Sequence, residues 1–244
     1  MNIFVLTVLA CLPAVLTQVK IPPGTLVPGL LNSSISSKSS RPSEQLRATV
    51  MQDILLPDGE KIRRGSKIIG HVVSVTPHRS NTSAAQVTLK FDRIEMSDHR
   101  SITITTSLRA LASIPEVVHA QSPLAGSALG SSDSAWTTVQ IGGDAVFRGG
   151  GSVTEHSEKI GKPVPYGVLV RVAPGEKCGE EVFGNDAPVQ ALWLFSANAC
   201  GVYGYRHMKI VAPGPNDPQG QVGLASDHGD FRIESGSGVL LLVE

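Results

Sequence analysis

Residues 21–25 read IPPGT, and the same pattern recurs as IRRGS at 62–66 and as IESGS at 233–237, each time before an apolar stretch. Glycine tolerates the positive φ of a tight turn, and the hydroxyl residue can bond to local backbone. The β-branched isoleucine would anchor the turn to a core. The pattern therefore predicts a turn that opens a β-strand. Its presence at both ends predicts that the last strand rejoins the sheet that the first strand starts.

The composition is that of a globular protein. The chain has 244 residues, of which 41% are hydrophobic and 17% charged, enough to bury one large β domain or two small ones. Lys plus Arg and Asp plus Glu number 21 each. Because the charges balance, no net field draws the chain to nucleic acid, which is not an expected partner.

An apolar run near the start indicates export. Residues 3–16, IFVLTVLACLPAVL, are few for a membrane span and are followed by polar and proline-containing sequence, as in a secretory signal. We expect residues 1–18 to be a signal peptide and the protein to reach the periplasm or cell envelope. The sequence VLAC at 8–11 leaves a lipoprotein open, with Cys11 carrying the lipid.

Cys178 and Cys200 remain once the signal is removed. An even pair in an oxidising compartment predicts a disulfide, which would contribute about 3 kcal/mol by closing its loop. Metal ligation and a catalytic thiol are the alternatives. Neither cysteine has the CxxC spacing of a typical zinc site.

Strand patterns dominate the chain. In the first half, apolar alternation or β-branched residues predict strands over residues 25–31, 45–51, 67–75, 86–91 and 100–106. In the second half, strands are predicted over residues 136–141, 166–172, 191–195, 202–211 and 221–225. The stretch at 191–195, ALWLF, is typical of a strand buried on both faces. Helical periodicity is limited to residues 107–118, where Pro115 interrupts it.

These patterns predict an all-β protein, a barrel or sandwich of mostly antiparallel strands. We expect a β-barrel portion over residues 19–115 and a flexible linker or long loop over 116–135. A second, glycine-rich and disulfide-containing β portion is expected over 136–244, with a closing strand over 231–243.

Several segments resemble a known family. They are IPPGTLVPGLLNSSISSKSSRPSEQLRATVMQDI at 21–54, IRRGSKIIG at 62–70 and TLKFDRI at 88–94. They resemble the C-terminal β-barrel domain of the TrbI-like scaffold proteins of bacterial conjugation and type IV secretion, with Gly24, Gly65 and Gly70 matching its turns and strands. The closing segment 233–243 looks like its last strand, while residues 108–230 align with no part of it.

The resemblance implies a β-barrel that serves as a structural or protein-interaction module of the cell envelope, and a link to secretion or conjugation machinery is a further expectation. We interpret the chain as a stand-alone exported relative. Because the resembled family forms rings, the implied partners are envelope proteins or further copies of the same chain.

A basic cluster surrounds the second turn pattern. It consists of Lys61, Arg63, Arg64 and Lys67. Alternation places some of these residues on a solvated face of the barrel, which is the ordinary expectation. The alternative is a docking patch for an acidic partner or a phospholipid headgroup, with peripheral membrane association.

The sequence carries no motif that indicates catalysis, a cofactor or a metal. Its seven histidines form neither HxH nor HExxH. Asp217, Asp227 and Asp230 offer oxygen ligands in late loops, without the spacing of a calcium loop. We therefore expect a binding protein without a cofactor rather than an enzyme. The alternative is a secreted hydrolase or a small-ligand-binding β-barrel.

Overall fold

The structure is a computed structural model that describes residues 20–79, 83–123, 137–149, 152–155, 158–173, 190–211 and 218–244. The elements of the first half are β1 (Leu26–Leu31), β2 (Ile35–Ser36), β3 (Gln45–Val50), β4 (Ile54–Leu55), β5 (Lys61–Ile62), β6 (Lys67–Thr76), β7 (Ala85–Glu95), β8 (Ser101–Thr103), β9 (Thr106–Ala112) and the helix α1 (Ile114–Gln121).

The elements of the second half are shorter strands. They are β10 (Thr137–Val139), β11 (Ala145–Phe147), β12 (Val153–Glu155), β13 (Glu158–Ile160), β14 (Lys162–Val164), β15 (Gly167–Arg171), β16 (Gly201–Tyr203), β17 (Met208–Val211), β18 (Gln221–Ser226), β19 (Arg232–Ile233) and β20 (Gly238–Val243).

One large sheet forms most of the fold. Its strand order is β16-β9-β20-β1-β3-β6-β7-β18-β17, with β8 beside β7. The end strands β16 and β17 approach each other, so the sheet is nearly closed into a barrel. The β16–β9 pair is parallel and makes the sheet mixed, whereas pairs such as β6–β7 and β1–β20 are antiparallel. The prediction of a mostly β, barrel-like protein is confirmed.

The last strand rejoins the first, as the repeated turn pattern predicts. Strand β20 lies between β1 and β9, with Leu26 of β1 opposite Leu242 and Gly29 opposite Val239. The predicted closing segment 231–243 divides into β19, which pairs with β2, and β20. Because the first and last long strands, β1 and β20, pair with each other, they close the barrel on this side.

The three copies of the turn pattern have the same geometry. In each, the glycine N–H donates to the carbonyl oxygen of the residue that ends a neighbouring strand. The three pairs are Gly24 with Val243, Gly65 with Val50 and Gly236 with Leu31, at 2.8, 2.9 and 2.7 Å. The glycines have φ of 84°, 90° and 96°, values that an L side chain adopts only with strain. Each turn therefore fastens the end of one strand to the start of the next.

The isoleucine of the turn pattern follows the prediction in every copy, whereas the hydroxyl residue does not. Each isoleucine is buried in the core of the barrel, as predicted. The hydroxyl bonds to local backbone in the first copy, where Thr25 Oγ1 donates to the Pro22 carbonyl at 2.7 Å. For the third copy that prediction is wrong, because Ser237 Oγ lies 2.6 Å from the hydroxyl of Tyr205.

Two apolar clusters lie on opposite faces of the strands that close the barrel. Val239 and Leu241 of β20 belong to the barrel core, whereas Leu240 belongs to the second cluster together with Phe195 and Val117. The outer cluster consists of α1 and second-half residues packed on β1, β20 and β9. These strands are therefore covered on both faces.

The segment with helical periodicity, 107–118, differs from the structure. Its residues 107–112 belong to strand β9, which begins at Thr106. The helix α1 begins at Ile114, and Pro115 lies in its first turn, where a proline N–H is not required. Strand β9 is buried along its whole length, so no alternation of polar and apolar residues marks it as a strand.

The predicted strand over 191–195 is also wrong. The segment is almost entirely buried, but it forms isolated bridges, Ile141 with Phe195 and Ala191 with Ser196, rather than a ladder. Side chains replace the missing strand partner, because Arg148 donates to the carbonyls of Leu192 and Trp193.

The predicted strand over 202–211 is wrong, because these residues form β16 and β17, which lie at opposite ends of the sheet order. The predicted strand over 100–106 contains β8 and only the first residue of β9. The other strand predictions agree with the structure to within a few residues, and β7 extends beyond its predicted end to Glu95. A small antiparallel sheet, β10-β11-β15-β14, stands beside the barrel. The expected signal peptide at 1–18 lies outside the described residues, as do residues 124–135 of the expected linker, whose residues 116–121 belong to α1. In the described part of the chain, no helix is long and apolar enough to span a membrane.

Candidate functional site

A cleft of about 580 Å³ lies on the outside of the barrel. Its floor is formed by Leu26 of β1, Leu242 of β20 and Arg109 of β9, three strands that are neighbours in the sheet. One rim carries residues 52–55, just after β3, and the other carries the turn between β14 and β15. The cleft thus lies between the barrel and the small sheet.

Arg109 supplies positive charge to the floor. Its side chain is 1% exposed, and its Nε donates to the Ala199 carbonyl at 3.3 Å. Burial lowers the pKa of this guanidinium. A guanidinium has five N–H donors in a planar fork, which suits carboxylate and carbonyl acceptors.

Two exposed apolar side chains face the cleft from its opposite rims. Leu55 is 58% exposed and Tyr166 is 44% exposed. The Tyr166 hydroxyl donates to the Asp53 carbonyl at 2.5 Å, and this bond joins the rims at one point. Tyr166 has φ of 73°, a left-handed conformation that is costly for a bulky residue. Burial raises the pKa of its phenol, with a smaller effect from Asp53.

Gln52 brings an unsatisfied polar atom to the wall of the cleft. The residue is 8% exposed, and its Oε1 is buried without a hydrogen-bond partner among the described residues. Leaving a buried acceptor unpaired costs about 1–3 kcal/mol. A ligand that donates a hydrogen bond here would remove that cost.

The predicted docking patch lies on the exposed surface. Its members Lys61, Arg63, Arg64 and Lys67 are all exposed. One of them has a side-chain partner that is far away in the sequence. The Arg64 guanidinium lies 5.1 Å from the centre of the Trp193 ring. Lys67 stands opposite Glu95 in the β6–β7 register. The role of the patch in docking stays a prediction.

The predicted disulfide joins one described and one undescribed residue. Cys200 is buried just before β16, while Cys178 lies outside the described residues. The pairing therefore stays a prediction.

Two of the three aspartates considered as calcium ligands are among the described residues, and both have other partners. Asp230 accepts from the His78 N–H at 2.8 Å, and Asp227 pairs with Lys209 at 2.9 Å. The contact with Lys209 lowers the pKa of Asp227. Asp217 lies outside the described residues. Within the described ranges, no group of three or more His, Cys, Asp or Glu side chains is placed to hold a metal.

Arg148 joins strand β10 to the buried segment 191–195 through hydrogen bonds. Its Nε donates to Thr138 Oγ1 at 3.0 Å and its Nη2 to the Trp193 carbonyl at 2.8 Å. The guanidinium also lies 5.8 Å from the centre of the Trp193 ring, so this ring contacts both Arg148 and Arg64. Burial lowers the pKa of Arg148 to about 10.

A buried carboxyl group fixes the end of the small sheet. Asp144 Oδ1 accepts from the Ala173 N–H at 2.8 Å, and the Asp144 N–H donates to Ser196 Oγ at 3.0 Å. Burial raises the pKa of Asp144, although hydrogen bonding of its carboxyl group with the Ala173 N–H and the Ser196 side chain opposes the effect.

Sequence reasoning missed the residues of the cleft. Gln52, Arg109 and Tyr166 are far apart in the chain and belong to no motif. Arg109 carries the one available signal, an isolated charge in the stretch LRALA at 108–112. A charge inside a buried strand has to find partners or face a site.

No protein-family model matches the chain, and no curated protein matches it significantly. The resemblance to the TrbI-like barrel therefore stays a prediction.

Proposed function

We propose that the protein is an exported component of the bacterial cell envelope that acts as a structural or protein-interaction module on a TrbI-like barrel. Its partners are envelope proteins or further copies of the chain. The observation that carries this proposal is the exterior cleft, where exposed apolar side chains flank a buried amide oxygen that has no hydrogen-bond partner among the described residues. Such a surface is suited to contact with another molecule.

The packing of the barrel supports contact through its outside. Apolar side chains from the strands around the barrel fill its interior, among them Phe91, Leu46 and Leu241. A filled interior makes the barrel a rigid frame, and recognition then depends on loops and outer faces.

The positions of the motif residues also support the resemblance. Gly24 and Gly65 each make the turn that fastens two strands. A Cβ on Gly70 would overlap the carbonyl oxygen of Lys90 on the neighbouring strand, so β6 and β7 need glycine at this point. These residues thus serve the barrel, which is the part of the family that the resemblance covers.

Binding of a small ligand is the second candidate function. The volume of the cleft falls in the range of about 300–1,000 Å³ common for small-molecule sites, and Arg109 and Gln52 offer polar anchors. A hydrolase needs a nucleophile or an acid–base pair. The described lining of the cleft contains one carboxylate, Asp53, and no histidine.

The native mass of the endogenous protein tests the proposal. The envelope is extracted with mild detergent, the mass of the complex is measured, and the co-purifying chains are identified. We expect a ring of copies or a complex with other envelope proteins. A lone monomer found outside the envelope fraction would contradict the proposal and direct the search to small ligands.

A further inference from the structure

We propose that a segment of a partner protein adds as an extended strand to the free edge of β4, on the rim of the exterior cleft. Its backbone pairs with the main chain of Leu55, an apolar side chain contacts Leu55 and Tyr166, and a carboxylate lies near Lys61. This inference rests on the proposed function, since it names the kind of partner that the interaction module takes.

The hydrogen-bond pattern of the β4–β5 hairpin leaves the main chain of Leu55 without a partner. The Leu56 N–H donates to the Glu60 carbonyl at 2.9 Å, and Leu55 stands opposite Lys61. Because hydrogen-bonded and non-hydrogen-bonded positions alternate in an antiparallel pair, the N–H and C=O of Leu55 point away from β5. Within the described part of the chain, neither group has another hydrogen-bond partner. An added strand pairs with such groups.

Tyr166 shows that this edge of β4 faces the cleft. By the same alternation, the carbonyl of Asp53 points away from β5, in the direction of the Leu55 groups. That carbonyl accepts the hydroxyl of Tyr166, which comes from the opposite rim. Leu55 lies about 7 Å further along the edge. A backbone N–H of the partner would therefore do at Leu55 what the Tyr166 hydroxyl does at Asp53.

The exposed face of the hairpin favours an apolar side chain on the partner. Ile54 and Ile62 are opposite each other and buried in the barrel core, so Leu55 and Lys61 share the other face. A partner residue that pairs with Leu55 directs its side chain to this same face. If that side chain is apolar, it removes the exposed surface of Leu55 from water, and Tyr166 offers a second apolar contact across the cleft.

The charges beside this edge favour a carboxylate on the partner. Lys61 and Arg63 are exposed, and in the described ranges neither side chain has an ion pair or a hydrogen bond. The carboxylates of the hairpin already accept hydrogen bonds within the protein; they are Asp53, Asp58 and Glu60. A partner carboxylate is thus attracted to the two cations. The concave shape of the cleft suits a protein segment better than a flat bilayer.

Binding of synthetic peptides to the full-length protein tests this inference. An array of short peptides varies one apolar and one acidic position independently, and fluorescence anisotropy gives the Kd of the best binder. Each backbone amide of that peptide is then N-methylated in turn. We expect a loss of about tenfold at the nitrogen that donates to Leu55. Methylation of its two neighbours should have little effect, because their N–H groups point away from β4.

Variants of the protein locate the site. Leu55→Ser and Lys61→Glu should each weaken binding about tenfold, the second by reversing a charge beside the peptide. Val118→Ser and Lys38→Glu are the matched controls, because Val118 and Lys38 are exposed and lie outside the lining of the cleft. All four positions are exposed, so the variants should fold, which circular dichroism checks.

The outcomes separate this inference from the proposed function. Absence of peptide binding, an N-methylation scan without alternation, or equal weakening by Leu55→Ser and Val118→Ser would overturn strand addition. Binding to phosphatidylglycerol vesicles without peptide binding would overturn it as well and assign the surface to a membrane. An envelope complex of high native mass would still support the interaction module. Peptide binding by a monomer found outside the envelope would keep the site and contradict the envelope role.

Discussion

The Tyr166 hydroxyl donates a hydrogen bond of 2.5 Å to the carbonyl oxygen of Asp53 and so joins the small sheet to the barrel. The bond spans the cleft, whose lining includes both Tyr166 and Leu55. Because Tyr166 has a left-handed backbone conformation, the bond also helps to offset the cost of that conformation. The shape of the cleft therefore depends on this contact.

Loss of the Tyr166 hydroxyl should loosen the cleft without unfolding the protein. Tyr166→Phe should lower the free energy of unfolding by about 1 kcal/mol and speed hydrogen exchange of the amides at 53–55. Tyr205→Phe is the matched control, since Tyr205 bonds to Ser237 elsewhere on the barrel. Unchanged exchange at 53–55 in Tyr166→Phe would show that the bond does not hold the rim.

Arg148 should contribute more to stability than Arg64, although both contact Trp193. Arg148→Met removes the donors to the buried carbonyls of Leu192 and Trp193, and we expect a loss of about 2–4 kcal/mol. Arg64→Met removes a cation–π contact worth about 0.5–1 kcal/mol. Urea unfolding measures both. Equal losses of stability would contradict the conclusion that Arg148 takes the place of a neighbouring strand for residues 191–195.

Two glycines of the barrel should respond differently to alanine. Gly70→Ala places a Cβ against the Lys90 carbonyl oxygen, so we expect a loss of more than about 3 kcal/mol or failure to fold. At Gly65 a Cβ has open space, but φ is 90°, and we expect a loss of about 1–2 kcal/mol. Thermal unfolding should therefore give a lower Tm for Gly70→Ala than for Gly65→Ala.

Stability should depend on pH through Asp144. Burial raises the pKa of this carboxyl group in the folded protein above its ordinary value of 3.8, so the folded state holds the proton more tightly than the unfolded state does. The resulting stabilisation is complete below pH 3.8 and is lost as the pH rises through the folded pKa. Asp144→Asn keeps an acceptor for the Ala173 N–H and should remove this dependence.

Asp227→Asn is the control with the opposite sign. The pKa of Asp227 is lowered by Lys209, so its small contribution is lost as the pH falls through the folded pKa. Chemical denaturation between pH 3 and pH 7 compares each variant with the natural protein. For each variant, the difference in the free energy of unfolding from the natural protein is plotted against pH. If this difference changes in the same direction for Asp144→Asn and Asp227→Asn, the assigned pKa directions are contradicted.

The barrel could be predicted from the sequence where local patterns and burial agree. The copies at 21–25 and 233–237 indicate that β20 returns to β1, because a turn of this kind fixes a strand end locally. Strand β9 could not be predicted, since it is covered on both faces and its alternation is lost. Residues 191–195 were misassigned because side-chain donors such as Arg148 take the place of a neighbouring strand.

The cleft could not be predicted because no local pattern encodes it. Gln52, Arg109 and Tyr166 meet only after the barrel has closed and the small sheet has packed beside it. The basic cluster at 61–67 was visible because its charges are close in the chain. Long-range contacts such as Arg64 with Trp193 appear only in the folded protein.

Site-specific photo-crosslinking in cells that make the protein tests the central claim most directly. A photoreactive phenylalanine analogue replaces Leu55 on the rim of the cleft, and Val118 in the control, before the envelope is isolated and crosslinked chains are identified. The account predicts a crosslink from position 55 to an envelope protein or a second copy, and none from position 118. Protein outside the envelope fraction, with no crosslink from position 55, would contradict it.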